Sequence, residues 1–404
     1  MTANHLAPTF VVRLLGTATD PTSYDLRDRV LDYEYTDSTD EVDKLSLTLD
    51  NWDLSVLDDE RWRFGGLLES AWGYHGDLND PRQFQIRSVG GTLLQPKITA
   101  IGPLIKMHGA KESGHWDNMT RSQVVAEIAK KYGFDNPVIE DTGVKHDRIV
   151  KPSSMTDAQF IKSLAAKEGC KFFVDKGGTM HFHRAKWDQA PVRELVFRGI
   201  DVDSDILDVG IDYDAKSKVG KRTLEGRDPL TKKPIKVEAS NAETKRDGLG
   251  ATIDSESYNE WGELTLRSTV ARAVKAPTTE TTAAAAKRQA DGQYIAQTRP
   301  EIKLRVTIIG DPRLAAHQVV MMSGIGRRLS GRYAVKGTSH KIGTSGYTTA
   351  LQLERDGHNG FGSTKDPKNE ATINKQPVKK PDALEQAEQV DEATGQIRII
   401  WKKP

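Results

Sequence analysis

Strict period-two alternation of apolar and polar residues constrains this chain more than any other feature. Leu45, Leu47 and Leu49 alternate with Lys44, Ser46, Thr48 and Asp50. Leu304, Val306 and Ile308 alternate with Lys303, Arg305 and Thr307. Tyr347, Thr349, Leu351 and Leu353 alternate with Thr348, Ala350, Gln352 and Glu354. Successive strand side chains point to opposite faces, so each run predicts a strand with one buried face. Turn signals separate the runs: Asp50-Asn51, then Gly90-Gly91 after Phe84, Ile86 and Ser88, and Gly343-Thr344-Ser345-Gly346 after a strand opened by Tyr333 and Val335. Phe64-Gly65-Gly66 and Trp72-Gly73-Tyr74 read as further interruptions. Short strands at close intervals over the first 105 residues predict a barrel or sandwich. Strand-like alternation returns over 185–275 and 301–355.

Between these β regions, 106–184 changes character. Thr120-Arg121-Ser122-Gln123 has the form of a helix capping box. Val125, Ile128, Ala129 and Tyr132 then fall on one helical face, and Gly133 is the natural stop. The device recurs at Thr156-Asp157-Ala158-Gln159, with Phe160, Ile161, Leu164 and Ala165 as the apolar stripe and Gly169 as the stop. A hairpin pattern follows: Cys170, Phe172, Val174, a Lys176-Gly177-Gly178 turn, then Met180 and Phe182. The segment is a small α+β unit. A further helix is expected at 278–297 around Ala283–Ala286, capped by Thr278, Thr279, Thr281 or Thr282 and ended before Pro300.

Composition narrows the function. At 404 residues, with 37% hydrophobic, the chain is too long for one ordinary domain. No stretch approaches ~18 apolar residues, so no membrane span is expected. Met1-Thr2-Ala3-Asn4-His5 shows no secretory leader pattern. The single cysteine, Cys170, excludes a disulfide framework and a multi-Cys zinc site, and a reducing compartment suits it. Lys and Arg total 58 against 57 Asp and Glu, a net charge of +1, which gives no case for nucleic acid as the main partner. The basic stretch 216–246 contains no aromatic residue for base stacking and reads as a solvated loop or an interface with an acidic neighbour.

No catalytic centre emerges. There is no Gly-x-Ser-x-Gly elbow, and Cys170 sits in an apolar alternation that suits a buried structural thiol. His181 and His183 share one strand face, opposite Met180 and Phe182, but lack a third ligand for a closed zinc site; His108 and His115 are equally unsupported. Asp201-Val202-Asp203-Ser204-Asp205 lacks the glycine and glutamate of a calcium loop, having Ile206 and Asp212 in those places. Gly324-Ile325-Gly326-Arg327-Arg328 lacks a phosphate-loop ending. No cofactor and no metal are expected, and the profile is that of a structural or interaction protein.

After Gly357 the composition shifts to charged residues and prolines, which predicts a flexible tail over 358–404. Its end differs. Ile397, Ile399, Ile400 and Trp401 predict one short strand, and these four are the candidate partner-binding residues. Two readings stand: a strand that adds to another chain's sheet edge, or a frayed terminus.

Three stretches carry a resemblance to a known family. Thr156-Asp157 through Phe160, Leu164-Ala165 and Glu168-Gly169, followed by Phe172-Phe173-Val174 and Met180-His181-Phe182, is similar to a "TD-x-x-F-x-x-x-LA-x-x-x-G" segment with its hairpin. Asp311-Pro312-Arg313-Leu314, Val319-Val320, Gly324-Ile325-Gly326, Ser330-Gly331-Arg332-Tyr333-Ala334-Val335, Ser339-His340-Lys341-Ile342 and Gly346-Tyr347-Thr348-Thr349 resemble a C-terminal signature. Val42 to Asn51, with Trp52-Asp53, resembles an opening "D-x-L-x-L-x-L-x-N-x-D". The family is phage late control D, the baseplate hub proteins of contractile tails and related injection machines. One departure is His317-Gln318, where the family commonly has Gly-Asp.

The resemblance implies a β-rich α+β multidomain fold. Two tail-tube-like β-barrel domains (1–105, and 185–357 with its helix) flank an inserted LysM-like unit (106–184), before the tail. It implies a non-enzymatic homotrimer forming a ring that joins a sixfold tail tube to a threefold spike. Implied partners are the tail tube protein, the central spike protein, the tape-measure protein and baseplate wedge proteins, with DNA only as cargo in the channel. The implied location is the virion tail baseplate, after synthesis in the host cytoplasm. The LysM-like unit invites an alternative, a peptidoglycan-binding tail protein, and a further alternative, a murein-hydrolysing tail protein, requires a carboxylate pair that no motif marks.

Overall fold

The computed structural model describes residues 7–356 except 17–22, 40, 59–61, 63, 110, 176, 187–188, 198–203, 214–218, 229–230, 241–254, 259–263, 268–271, 279, 299–301 and 327–328, together with 385–390 and 397–402. The chain divides into two units, Met1–Asn359 and Gly360–Pro404. The first unit opens with β1 (Pro8–Leu14), β2 (Tyr24–Asp25), β3 (Val30–Ser38), β4 (Lys44–Leu49), β5 (Leu67–Tyr74), β6 (Asp77–Leu78), β7 (Arg82–Gly91) and β8 (Pro96–Ile101). Next come β9 (Gly114–Thr120), β10 (Val138–Ile139), β11 (Lys145–Lys151), β12 (Cys170–Val174) and β13 (Met180–Arg184), with helices Arg121–Lys131 and Asp157–Glu168 among them. After these lie β14 (Glu194–Val196), β15 (Ile206–Tyr213), β16 (Val219–Arg227), β17 (Pro234–Ser240), β18 (Ser255–Tyr258), β19 (Leu264–Arg267) and β20 (Arg272–Pro277). Helix Ala283–Thr298, β21 (Ile302–Ile309), β22 (Val319–Ser323), β23 (Gly331–Gly343) and β24 (Gly346–Arg355) complete the unit. The second unit holds β25 (Glu385–Val390) and β26 (Ile397–Lys402), an antiparallel pair.

One 14-stranded sheet organises the first unit, in the order β15-β21-β24-β23-β3-β4-β8-β7-β5-β1-β2, with β22, β14 and β6 attached off this path. The two β regions expected as separate barrels therefore share a single sheet, and among the described residues no ring of strands closes. The cause is the length of β23, which spans 13 residues. Its first part pairs with β22, from Met322↔Gly331 to Val319↔Ala334, and its last part with β3, from Gly337↔Ser38 to Ile342↔Tyr33. The opposite edge pairs with β24. One strand thus belongs to both regions.

The alternation reads through to burial. In β21, Ile302, Leu304, Val306 and Ile308 are buried, while Lys303, Arg305 and Ile309 are exposed. One core gathers Tyr33, Tyr35, Leu45, Leu47, Leu49, Trp72, Phe84 and Ile98, and takes in Ile342 and Tyr347 from the far region. A second lies under β21–β24. Trp72-Gly73-Tyr74 does not interrupt a strand: it ends β5, with Trp72 buried. Gly73 carries no side chain because a Cβ there would strike the Asp77 backbone in the β5–β6 hairpin.

The inserted segment forms as its caps direct. Thr120 and Thr156 each accept from the backbone N–H three residues on, and Gln123 and Gln159 return the bond. Gly169 ends its helix in the left-handed conformation, φ 70°. Both helices pack on the β12–β13 hairpin through Val125, Ile128, Phe160, Ile161, Leu164, Cys170, Met180 and Phe182. A separate three-stranded sheet, β17-β16-β20, contributes Leu224 and Ala239 to a small core with Ala290 and Tyr294 of helix Ala283–Thr298. Of the candidate caps, Thr282 accepts from Ala285 N at 3.2 Å. Among the described residues no helix is long and apolar enough to cross a membrane.

Candidate functional site

The C-terminal signature residues converge where the two β regions meet. His340, fully buried on β23, donates through Nε2 to Leu314 O at 3.1 Å. A carbonyl only accepts, so this bond assigns the tautomer and leaves Nδ1 to accept from Tyr347 Oη at 2.9 Å, with Thr349 Oγ1 at 3.2 Å. Tyr35 and Trp72 of the first region lie against the His340 ring, with centroids 6.0 and 5.7 Å away. Tyr74 Oη donates to Gly310 O at 2.8 Å. Asp311 accepts from Arg313 Nε and Nη2, each at 3.0 Å, and from Arg193 Nη1 at 2.6 Å. Burial pushes the Asp311 carboxyl up, but the Arg313 and Arg193 guanidiniums outweigh it and hold it below the usual range. The motif is a polar and aromatic joint that fixes one β region to the other.

A carboxyl pair sits beside it. Asp37 Oδ2 accepts from Ala316 N at 2.9 Å, and Asp43 Oδ2 accepts from Tyr35 Oη at 2.9 Å. The two carboxyls lie close enough for the Asp37 charge to act on Asp43, and Arg82 stacks over the Tyr35 and Trp72 rings within reach of Asp43. Burial pushes both up, Asp43 to about 8 with the Asp37 charge adding to it, so the pair shares a proton.

The inserted segment meets this joint across a cleft of about 290 Å³, lined in part by Asp37, Phe173, Asp175, His181, His183 and His317. Phe173 lies between two imidazoles. His181 stacks on it at 4.7 Å between centroids and His317 at 3.4 Å. His317 holds a left-handed backbone, φ 66°, which explains why glycine suits this position in the resembled family. Here the strain is accepted and an imidazole reaches the inserted hairpin. His181 Nε2 binds Asp175 Oδ2 at 2.9 Å, His183 Nδ1 binds Arg184 O at 2.7 Å, and His183 Nε2 lies 3.3 Å from His181 Nδ1.

On its other side the inserted segment is anchored by buried ions. Arg121 donates to Glu168 at 2.7 Å and to both Glu280 oxygens at 2.6 Å, and Arg288 Nε donates to Glu168 at 2.7 Å. Gly169 and Gly292 bring two backbones into contact, since a Cβ on Gly292 would lie 2.5 Å from Gly169 N. Sequence reasoning misses this cluster, because Arg121 and Glu280 stand 159 positions apart in no pattern. The His317 stack on Phe173 escapes for the same reason, and the Asp37–Asp43 pair escapes because two nearby carboxylates among 57 acidic residues mark no motif.

The expected site residues fall as follows. Ile397, Ile399, Ile400 and Trp401 lie on β26, opposite Val390, Glu388, Ala387 and Gln386 in turn. Cys170 is buried, and burial, with Glu140 and Glu168 nearby, pushes its thiol up to about 12, which suits an inert group. His181 and His183 share a face opposite the buried Met180 and Phe182. His108 lies apart from this face at the end of a 3-10 turn, and His115 on β9 lies 3.9 Å from Asp117. Asp201, Val202, Asp203, Arg327, Arg328 and the linker from Gly357 onward to 384 lie outside the described residues. A second cleft, about 440 Å³, lies in the inserted segment, lined by Glu112, Trp116, Glu127, Lys131, Lys151 and Asp157 among others. Its Asp157 already accepts from Lys151, Tyr132 and Lys131, so it is a structural anchor there.

Comparison with known proteins places this architecture. A tail protein from Neisseria meningitidis MC58 superposes with a TM-score of 0.61 at 14% identity, over 87% of this chain and 97% of its own. The prophage MuSo2 43 kDa tail protein from Shewanella oneidensis gives 0.61 at 14%, over 87% and 99%. The E. coli c3393 protein, described as a type VI secretion component with structural similarity to T4 bacteriophage tail proteins gp27 and gp5, gives 0.50 at 9%, over 81% and 73%. The fold is therefore that of phage tail proteins and a type VI secretion component. A search of curated proteins finds no match. A family model described as the Alg8 N-terminal domain matches residues 82–344, which run from β7 through the inserted segment to the β23–β24 turn. Because that match takes in more than half of the sequence, the chain belongs to the Alg8 N-terminal domain family.

Proposed function

We propose that the chain is the structural hub of a contractile phage tail or related injection machine. Three copies form a ring in the virion baseplate, joining a sixfold tail tube to a threefold central spike, with the tape-measure and wedge proteins as further neighbours. The chain's role in this reading is mechanical, with no catalysis. The observation that carries it is the fold, one architecture extending over 87% of this chain and nearly the whole of two tail proteins. In this reading 1–105 and 185–357 act as the tube-like halves and 106–184 as a LysM-like brace.

Physical support comes from the sheet. A ring subunit under axial load needs its halves fixed to each other, which β23 and the His340 joint do. The open sheet leaves β15 as an end strand. Leu207 and Ile211 on it are more than half exposed. Such an edge is normally paired or protected, and a neighbouring copy in a closed ring would do so. The tail is assigned to partner capture, with Ile397, Ile399, Ile400 and Trp401 adding as a strand to a partner's sheet edge.

Light scattering coupled to size exclusion tests the reading. A trimer that leaves purified sacculi intact is the expected result. A monomer at high concentration that pulls down with sacculi, or clears them, overturns it in favour of the peptidoglycan-directed alternative.

A further inference from the structure

The His181–His183 pair presents a hydrogen-bonding contradiction. Asp175 Oδ2 lies 2.9 Å from His181 Nε2, and Arg184 O lies 2.7 Å from His183 Nδ1. A carboxylate and a carbonyl only accept, so these two ring nitrogens carry the protons. The remaining nitrogens, His181 Nδ1 and His183 Nε2, then carry lone pairs, and they face each other at 3.3 Å. Two neutral imidazoles so held have no proton to share across that gap. Either a proton on one ring or a metal cation between the two resolves the contact, and the spacing fits the metal. Two nitrogens at about 2.05 Å from a tetrahedral zinc ion stand about 3.3 Å apart.

The surroundings match such a ligand pair. Metal-bound histidines usually donate their other N–H to a carboxylate or backbone carbonyl, and both kinds of partner are present. Asp175 is itself fixed, accepting from Gly177 N at 2.8 Å and Thr179 N at 2.9 Å. Phe173 stacks on His181 and meets His183 edge-on, which sets both ring planes. The cleft of about 290 Å³ leaves room for water ligands.

We propose that His181 and His183 chelate a divalent transition-metal cation, zinc being the best match, with water in the remaining positions. Among the described residues no group of three or more His, Cys, Asp or Glu is arranged to hold a metal ion, so the site consists of two protein donors. Imidazole selects zinc, nickel or copper over calcium or magnesium. The proposal is independent of the hub reading.

The test is calorimetric titration of the full chain, free of any polyhistidine tag, with zinc chloride. One zinc per chain is expected, with a rise in melting temperature. His183→Gln should abolish both responses. Asp175→Asn should weaken binding by roughly tenfold through loss of imidazole orientation, and it keeps the test decisive if His183→Gln fails to fold. Absence of saturable binding, or wild-type affinity in either variant, overturns the proposal. So does a titration showing one extra proton held by the pair at neutral pH with no heat on adding zinc.

Discussion

Single residues set the tolerances of the joint between the β regions. Gly310 packs directly on the face of the Tyr347 ring, so any Cβ there collides with ring atoms held by the His340 bond. Gly310→Ala should therefore destabilise the chain by roughly 1–3 kcal/mol, the usual cost of overpacking a core, in a denaturant melt. The Asp37–Asp43 pair gives a pH dependence of definite sign. Asp43 binds its proton far more tightly folded, at about 8, than at its ordinary value of 3.8. Between those limits the folded state holds a proton that the unfolded state has lost, so this contribution is full below pH 4 and falls away up to pH 8. Asp43→Asn, which offers Asp37 a permanent N–H donor, should flatten that slope and raise stability at pH 8 by roughly 1–2 kcal/mol. Melts across pH 4–9 check it, and an unchanged slope would sink the shared-proton account.

Elements were legible in the sequence wherever a local rule determines them. The capping boxes at Thr120 and Thr156, the left-handed Gly169 and the two-residue turn between Gly343 and Gly346 all stand as the residues require. Such signals span three or four residues and need no tertiary partner. Trp72-Gly73-Tyr74 misled because its glycine serves the next hairpin's close approach without breaking its own strand. What holds elements together was invisible for the opposite reason, since Arg121, Glu168, Glu280 and Arg288 meet only after folding. Arg121 is almost fully buried and faces two carboxylates. Arg121→Met strips Glu280 of its bidentate partner and leaves it with the part-exposed Lys167 at 3.5 Å and His146 at 3.9 Å. A loss of about 3 kcal/mol is expected by equilibrium unfolding, because removing one partner strands a buried charge. At the C-terminus, deleting 385–404 removes the β25–β26 pair. Under the hub reading proposed above, trimerisation should persist while capture of the spike or tube partner is lost in a pull-down, and full retention of capture would exclude the strand-addition role.

At the scale of the molecule, the shared sheet changes what the chain should do on heating. Two independent barrels joined by a linker would melt as two transitions. Here β3 and β23 pair over six residues, from Tyr33↔Ile342 to Ser38↔Gly337. Ile342 and Tyr347 sit in the core of the first region, and the buried Arg121–Glu280 contact ties the inserted segment to the residues before helix Ala283–Thr298. Neither the two β regions nor the inserted segment can unfold without exposing apolar or charged groups that belong to another of the three. Calorimetry of the first unit's main endotherm should accordingly give one transition, with its calorimetric and van't Hoff enthalpies in agreement. Proline at Ser339 is the sharper probe. It lies in the middle of the seam, opposite Thr36, and proline removes the backbone N–H and cannot sit inside a central strand without disrupting the ladder. Ser339→Pro should split the single transition into two as the regions uncouple. If the wild-type chain already melts in two resolved steps, the seam is too weak to transmit load between the halves, and the mechanical reading of the joint fails with it.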